Sequence, residues 1–216
     1  MATVRKWSNV AVAMQSAAAA AITITAITKA SEGVVTTAAA HGLTGGEILL
    51  LSVQGMYQLD QKVVRVKAGA AGSSFTLESI DTTLFDTFSA GTAVKITLGT
   101  SITTATSVNS SGGDFDFIDT TTIHGNVKTQ IPGLANPATF SFDNIWDVSD
   151  PGLVAMKAAS DAQAVRVFSF TFGSGGQKMF FAGYVGASLL PGGSAQDKVT
   201  TQTVITMFGT PTYYAS

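Results

Sequence analysis

Short runs rich in Thr, Val, Ile and Phe, cut apart by glycine pairs at Gly45–Gly46, Gly112–Gly113, Gly175–Gly176 and Gly192–Gly193, leave this chain little choice but β-structure. β-Branched and aromatic side chains suit a pleated, half-buried surface, and glycine supplies the turns between. The pattern predicts one helix, near Pro151–Gln163. Asp150 offers it an N-cap oxygen, and Pro151 takes the first helical position, where a missing N–H is harmless. Leu153, Met156 and Ala159 recur at helical spacing and form a short apolar stripe. At 216 residues the chain has room for one large domain or two small ones with real cores.

The start of the chain tests this β reading. Arg5 and Lys6 precede an Ala-rich apolar stretch from Val10 to Ile27, the order of charges and apolar residues in a signal peptide. Gln15 and Ser16 interrupt that stretch, and Ile22 and Ile24 alternate with Thr23 and Thr25. Such alternation belongs to a strand with two different faces, and the stretch is too polar for a membrane span. Cys is absent, which excludes a disulfide framework, a thiol nucleophile and Cys-ligated zinc, and suits assembly in a cytoplasm.

Hydrophobic residues make up 45 % of the chain and charged ones 12 %, about half the usual globular share of roughly 25 %. A surface so poor in charge fits either a subunit that hides much of itself in an assembly or a β-rich monomer with a Ser/Thr surface. The formal net charge of −2 excludes a chain that grips nucleic acid through its phosphates. Catalytic equipment is missing. His41 and His124 each stand beside a glycine and read as turn residues; no Gly-x-Ser-x-Gly elbow or phosphate loop occurs. Gly173–Gly176 lies between two strands and reads as a hairpin turn. The sequence therefore implies no enzyme and no cofactor.

Residues 31–97 form a unit of their own, with strands expected at Gly33–Thr37, Glu47–Val53, Lys62–Val66, Ser74–Ser79 and Thr92–Ile96. Five strands suffice for a small barrel or sandwich. This segment holds six acids and four bases, a net of −2, whereas the remainder holds eight of each. All of the net charge thus sits in one segment, as suits a solvated decoration. The pattern VVTTAAAHGLTGGEILLLS, GMYQLDQKVVRV, FTLESIDTTLF is similar to small β modules of phage virion proteins.

Outside it, GGDFDFIDTTTIHGNVKTQIPGL, FSFDNIWDVSDPGLVAMKAASDAQA, RVFSFTF, MFFAGYVGASLLPGG and VTTQTVITMFGTP run in an order that resembles the tail tube proteins of long, flexible-tailed (siphovirus-type) bacteriophages. The order is a strand pair, a long loop ending in Ile-Pro-Gly-Leu, a strand, one helix, a hairpin and a final strand. The resemblance implies a mainly β fold, a tail-tube-type β-sandwich or barrel with one α-helix, formed by residues 1–30 and 98–216. Residues 31–97 are then an inserted small β-barrel or Ig-like module projecting outward, whose deletion leaves tube formation intact.

Such subunits assemble as six-membered rings that stack into a hollow tube through which double-stranded DNA passes without specific binding during ejection. The implied partners are further copies of the chain and the tape measure, tail tip and tail terminator proteins; the implied place is the virion tail, assembled in the host cytoplasm. The N-terminal arm, Ala2–Ala21, and the long loop, Asp119–Pro137, are expected to reach neighbours. Candidate inter-subunit contacts are Trp7, Val10, Val12, Met14, His124, Lys128, Ile131 and Trp146; Trp7 and Trp146 also fit their own core. Asp114 and Asp116, on the strand face opposite Phe115 and Phe117, are candidate lumen-facing charges. With Asp119 they also read as ordinary solvated residues or part of a calcium site, although the Gly and terminal Glu of an EF-hand loop are lacking. The rival reading of the whole chain is another virion or cell-surface β-rich binding module, such as an adhesin.

Overall fold

The computed structural model describes residues 7–67, 72–173 and 176–215. Ala2–Lys6, the first residues of the expected arm, and Ser174 and Gly175 of the expected glycine turn lie outside the described residues. In chain order the strands are β1 (Val10–Ile27), β2 (Val34–Thr37), β3 (Ile48–Gln54), β4 (Val63–Arg65), β5 (Ser74–Thr76), β6 (Ala90–Ile102), β7 (Ala105–Ser111), β8 (Phe115–Asp119), β9 (Gln130–Ala135) and β10 (Thr139–Ile145). The helix α1 (Pro151–Asp161) follows, then β11 (Arg166–Phe172), β12 (Lys178–Ala187) and β13 (Thr200–Tyr214). The fold is mainly β with a single α-helix among the described residues, as the sequence pattern predicts.

One sheet runs in the order β4-β3-β6-β1-β11-β12-β13-β10-β7, with β2 joined to β1 and β5 joined to β2; β8 and β9 form a separate pair. Its spine is β1, whose 18 residues extend about 60 Å at roughly 3.3 Å each. Val10–Met14 pair with β11 on one side, and β6 pairs with β1 from Val12 to Ile24 on the other. The alternation Ile22-Thr23-Ile24-Thr25 does what it predicts: Ile24 is buried, whereas Thr23 and Thr25 face out. The strand expected to end at Ile96 continues to Ile102, because residues 97–102 pair with the first half of β1.

Burial divides into three apolar clusters. The first gathers Met14 of β1, Phe142 of β10, Leu153, Met156 and Ala159 of α1, Phe168 and Phe170 of β11, Phe181 of β12 and Ile205 of β13. The second gathers Ile24 and Ile27 of β1 with Val35, Leu49, Leu51, Val53, Phe75 and Leu77 from the 31–97 segment. A third joins the two: Val63 and Ile96 pack on Val167, Phe180, Ala182 and Tyr214. Strands β11 and β12 are therefore covered on both faces, which is why Met179-Phe180-Phe181-Ala182 is a continuous apolar run rather than an alternating one. Polar contacts reinforce the joint. The Arg65 N–H donates to the Tyr214 hydroxyl at 2.8 Å, the Thr212 hydroxyl donates to the Val63 carbonyl at 2.6 Å, and the Arg65 guanidinium lies 4.5 Å from the Tyr214 ring centre.

The helix is capped as its sequence dictates. Asp150 Oδ1 accepts from the Leu153 N–H at 2.8 Å, and Gly152, Leu153, Met156 and Ala159 are buried. Gly152 is required by proximity: a Cβ there would stand 2.7 Å from the Ser101 carbonyl oxygen of β6.

Candidate assembly surfaces

The longest exposed tract is the β8–β9 hairpin and its flanks. It leaves β7 through Gly112 and Gly113, both at positive φ (82° and 86°), and a Cβ on Gly112 would collide with the Pro137 carbonyl at 2.3 Å. The hairpin closes on itself. Gly113 donates to the Asn136 carbonyl, Asn136 to the Asp114 carbonyl at 2.8 Å, and Thr120 to the Thr129 carbonyl at 2.9 Å. Phe115 faces Ala135 but Phe117 faces Pro132, so the extra residue of the bulge lies on β9, at Gly133–Leu134. Alternation on β8 is thus kept, with Phe115 and Phe117 on one face and Asp116 on the other.

Every residue from 109 to 132 is exposed. The hairpin carries seven large apolar side chains in water, among them Phe115 at 54 %, Phe117 at 63 % and Ile118 at 55 % exposure. So many exposed apolar side chains on one hairpin are the kind of display that interaction surfaces carry. Its carboxylates are locally held. Asp116 Oδ1 accepts from Asn136 Nδ2 at 3.1 Å, and Asp119 is lowered below the usual carboxylate range by the Thr121 hydroxyl and N–H. Of the residues expected here, His124 and Lys128 are exposed around the tip and Ile131 is exposed on β9.

The first strand is placed differently from a free arm. Val12 and Met14 are buried in the first core, where they hold the subunit together rather than facing outward, and Val10 packs beside them. The Trp7 ring rests on Phe172 and edge-on against Phe170, at 5.7 and 6.2 Å between centres, with 57 % of the residue still exposed. Trp146 is partly buried, its indole N–H donating to the Leu189 carbonyl at 2.9 Å. Asp147 is lowered by its bonds to Ser149. The expected contacts therefore separate into a hairpin group and a body group. Phe115, Phe117, Ile118 and Leu134 join the first group; the alternation of β8 was the signal for Phe115 and Phe117, whereas Ile118 on the Asp116 face and Leu134 in the β9 bulge had none.

A cleft of about 580 Å³ opens between the start of β1, the end of β6 and β7. Trp7, Val10, Val12, Ile102, Ala105 and Val108 supply its apolar wall, hydroxyl residues supply the rest, and no charged side chain among the described residues lines it. Strand β7 ends the strand order, so among the described residues the edge turned away from β10 has no partner strand.

The two histidines serve turns or solvent. His41 accepts the Leu43 N–H on Nδ1, faces the Ser74 carbonyl with Nε2 and stands edge-on to Phe75. Among the described residues no three His, Cys, Asp or Glu side chains are grouped to hold a metal ion, and no helix is long and apolar enough to cross a membrane.

Residues 54–216 match the phage tail tube protein family (TTP). The match begins in β3 and takes in the last part of the 31–97 segment, the hairpin, the helix and β10–β13. A comparison with individual curated proteins gives no match.

Proposed function

Because the chain belongs to the phage tail tube protein family, and so is a structural component of the virion tail, we propose that it assembles as six-membered rings stacked into the hollow tube of a long flexible tail. The observation that carries this is the hairpin, an element with seven exposed large apolar side chains. Exposed apolar surface of this extent is the kind that a partner covers in an assembly. The charge-poor surface has the same explanation.

In this reading Asp114 and Asp116 face the channel, and six copies of each make rings of negative charge that repel passing phosphate. DNA then moves without sticking. Asp116→Lys is expected to form tubes but to give virions that eject their genomes poorly; normal ejection removes Asp116 from the lumen. The tape measure, tail tip and tail terminator proteins are the remaining partners. Residues 31–97 project from the outer wall, tied to the body through Val63, Ile96 and Tyr214. Excising them uncovers Val167, Phe180 and Ala182, so a deletion that keeps assembly needs polar replacements there.

The experiment is negative-stain electron microscopy of the full-length chain, concentrated without denaturant and, in parallel, seeded with tail tips. Six-fold rings or hollow tubes are expected. A chain that stays monomeric under both conditions refutes the reading.

A further inference from the structure

We propose that the Phe115–Phe117 face of the β8–β9 hairpin seats in the cleft between β1 and β7 of a neighbouring copy of the chain. The proposal rests on the self-assembly just described and names the surface that receives the hairpin.

The cleft calls for an apolar occupant. Val12 and Ile102 at its base belong to the first core, so the cleft is an opening into that core along the seam where β7 fails to meet β1. Its described lining holds no charged side chain, so nothing in that lining compensates a buried charge, and an apolar occupant suits it better than a charged one. Hydroxyl groups of Ser101, Thr103 and Thr106 rim it, and the free edge of β7 lies beside it.

The chain itself supplies a two-faced segment of the right kind. Phe115 and Phe117 project from one side of β8, while Asp114 and Asp116 lie on the other. The aromatic side enters an uncharged cleft while the carboxylates stay in water. No rearrangement of β8 is needed, because the bulge that breaks the register sits on β9.

The hairpin does not fill its own cleft. It leaves β7 at Gly112, whereas the cleft is lined by Ala105–Val108, four residues or about 13 Å back along the strand. From Gly113 onward its backbone bonds run within the hairpin, and Phe115 and Phe117 remain more than half exposed. Each copy therefore offers one finger and one cleft that its described residues leave open, on different parts of its surface. Such a contact is head-to-tail and propagates from copy to copy until a ring closes.

The absence of cysteine makes the test clean. A chain carrying Phe117→Cys and Val108→Cys, assembled and mildly oxidised, is expected to give a ladder of covalent multimers on a non-reducing gel. Either single variant is expected to stop at dimers. Phe117→Cys paired with Leu84→Cys, a position 93 % exposed and outside the cleft lining, is the reference. Rings or tubes visible in the same sample, with a ladder no stronger than the reference, overturn the cleft assignment and leave the tube reading standing. Failure of the unaltered chain to assemble overturns both. A second variant avoids cysteine: Thr106→Trp, at an exposed position on the rim, plugs the cleft without entering the core. It is expected to raise the critical concentration for assembly at least tenfold, with a melting temperature equal to that of Thr106→Ala, which loses the same 2.9 Å bond to the Asp143 carbonyl but leaves the cleft open. Unchanged assembly by this variant also overturns the proposal.

Discussion

Replacing Phe117 by Ser separates assembly from folding. Phe117 is 63 % exposed. Taking about 200 Å² for a whole Phe side chain, some 125 Å² of apolar surface is in water on the free subunit. Covering that area in a partner contributes up to about 3 kcal/mol at roughly 25 cal/mol per Å². Each subunit added to a growing tube loses this contribution in the variant, so the critical concentration is expected to rise by about a hundredfold, one factor of ten per 1.4 kcal/mol. The isolated subunit loses almost nothing, because the side chain packs on no core. Phe142→Ala is the opposite control. Phe142 is fully buried in the first core, and its truncation costs about 3–5 kcal/mol. For a chain of this size that lowers the melting temperature by roughly 6–20 °C. The assays are sedimentation of assembled material against concentration and calorimetric melting of the dilute subunit. Two results refute the reasoning: a critical concentration unchanged by Phe117→Ser, or a melting temperature that falls as far as in Phe142→Ala.

Two further perturbations address the joint between the cores and its charges. Tyr214→Phe keeps the ring under the Arg65 guanidinium but leaves the Arg65 N–H without its 2.8 Å acceptor, at a cost of about 1–3 kcal/mol. Hydrogen exchange is expected to quicken around Val63–Arg65 more than in α1; equal effects in both would contradict a local joint. Acid is expected to loosen the second core first. Lys67 and the Ser79 N–H hold Glu32 low, while in Glu47 the Lys95 ammonium and the Thr44 N–H outweigh a burial that pushes its carboxyl up. Both folded-state values lie below the unfolded one, so their stabilisation is present above about pH 4.5 and is lost as pH falls through the folded values. Both carboxylates join segments far apart in the chain, whereas Asp119 and Asp147 only brace their own turns. Exchange followed from pH 6 to pH 3 checks the order, and Glu32→Gln should flatten the response.

Local rules made much of this fold legible. The cap at Asp150, the Pro at the first turn and the stripe Leu153–Met156–Ala159 are all written within a dozen residues, and each does its expected work. The alternation that argued against a signal peptide survives as the two-faced end of β1. What stayed hidden depends on partners far away in sequence. Nothing in Val12 or Met14 says that β11 will arrive beside them, so an Ala-rich stretch read as an arm became the spine of a sheet. The joint at Val63, Ile96, Phe180 and Tyr214 is invisible for the same reason, since its members come from four strands. The hairpin was legible as a segment, through Gly112–Gly113 and the Phe115–Phe117 alternation. Its freedom from the body was not, because exposure is a property of what fails to pack on it.

The pairing of β1 with β11 also sets a clock. Val10 lies opposite Phe172, 162 positions later in the chain, and β12 and β13 must follow before the first core is complete. Contacts this distant place the subunit among slowly folding proteins, since a large loop must close before the pairing stabilises anything. On the ribosome the hairpin emerges well before β11, while the core beneath Val12 and Ile102 is still unmade. A nascent chain therefore presents the finger but no finished surface on which to receive one. Growth of the polymer is deferred until β11, β12 and β13 have all been made.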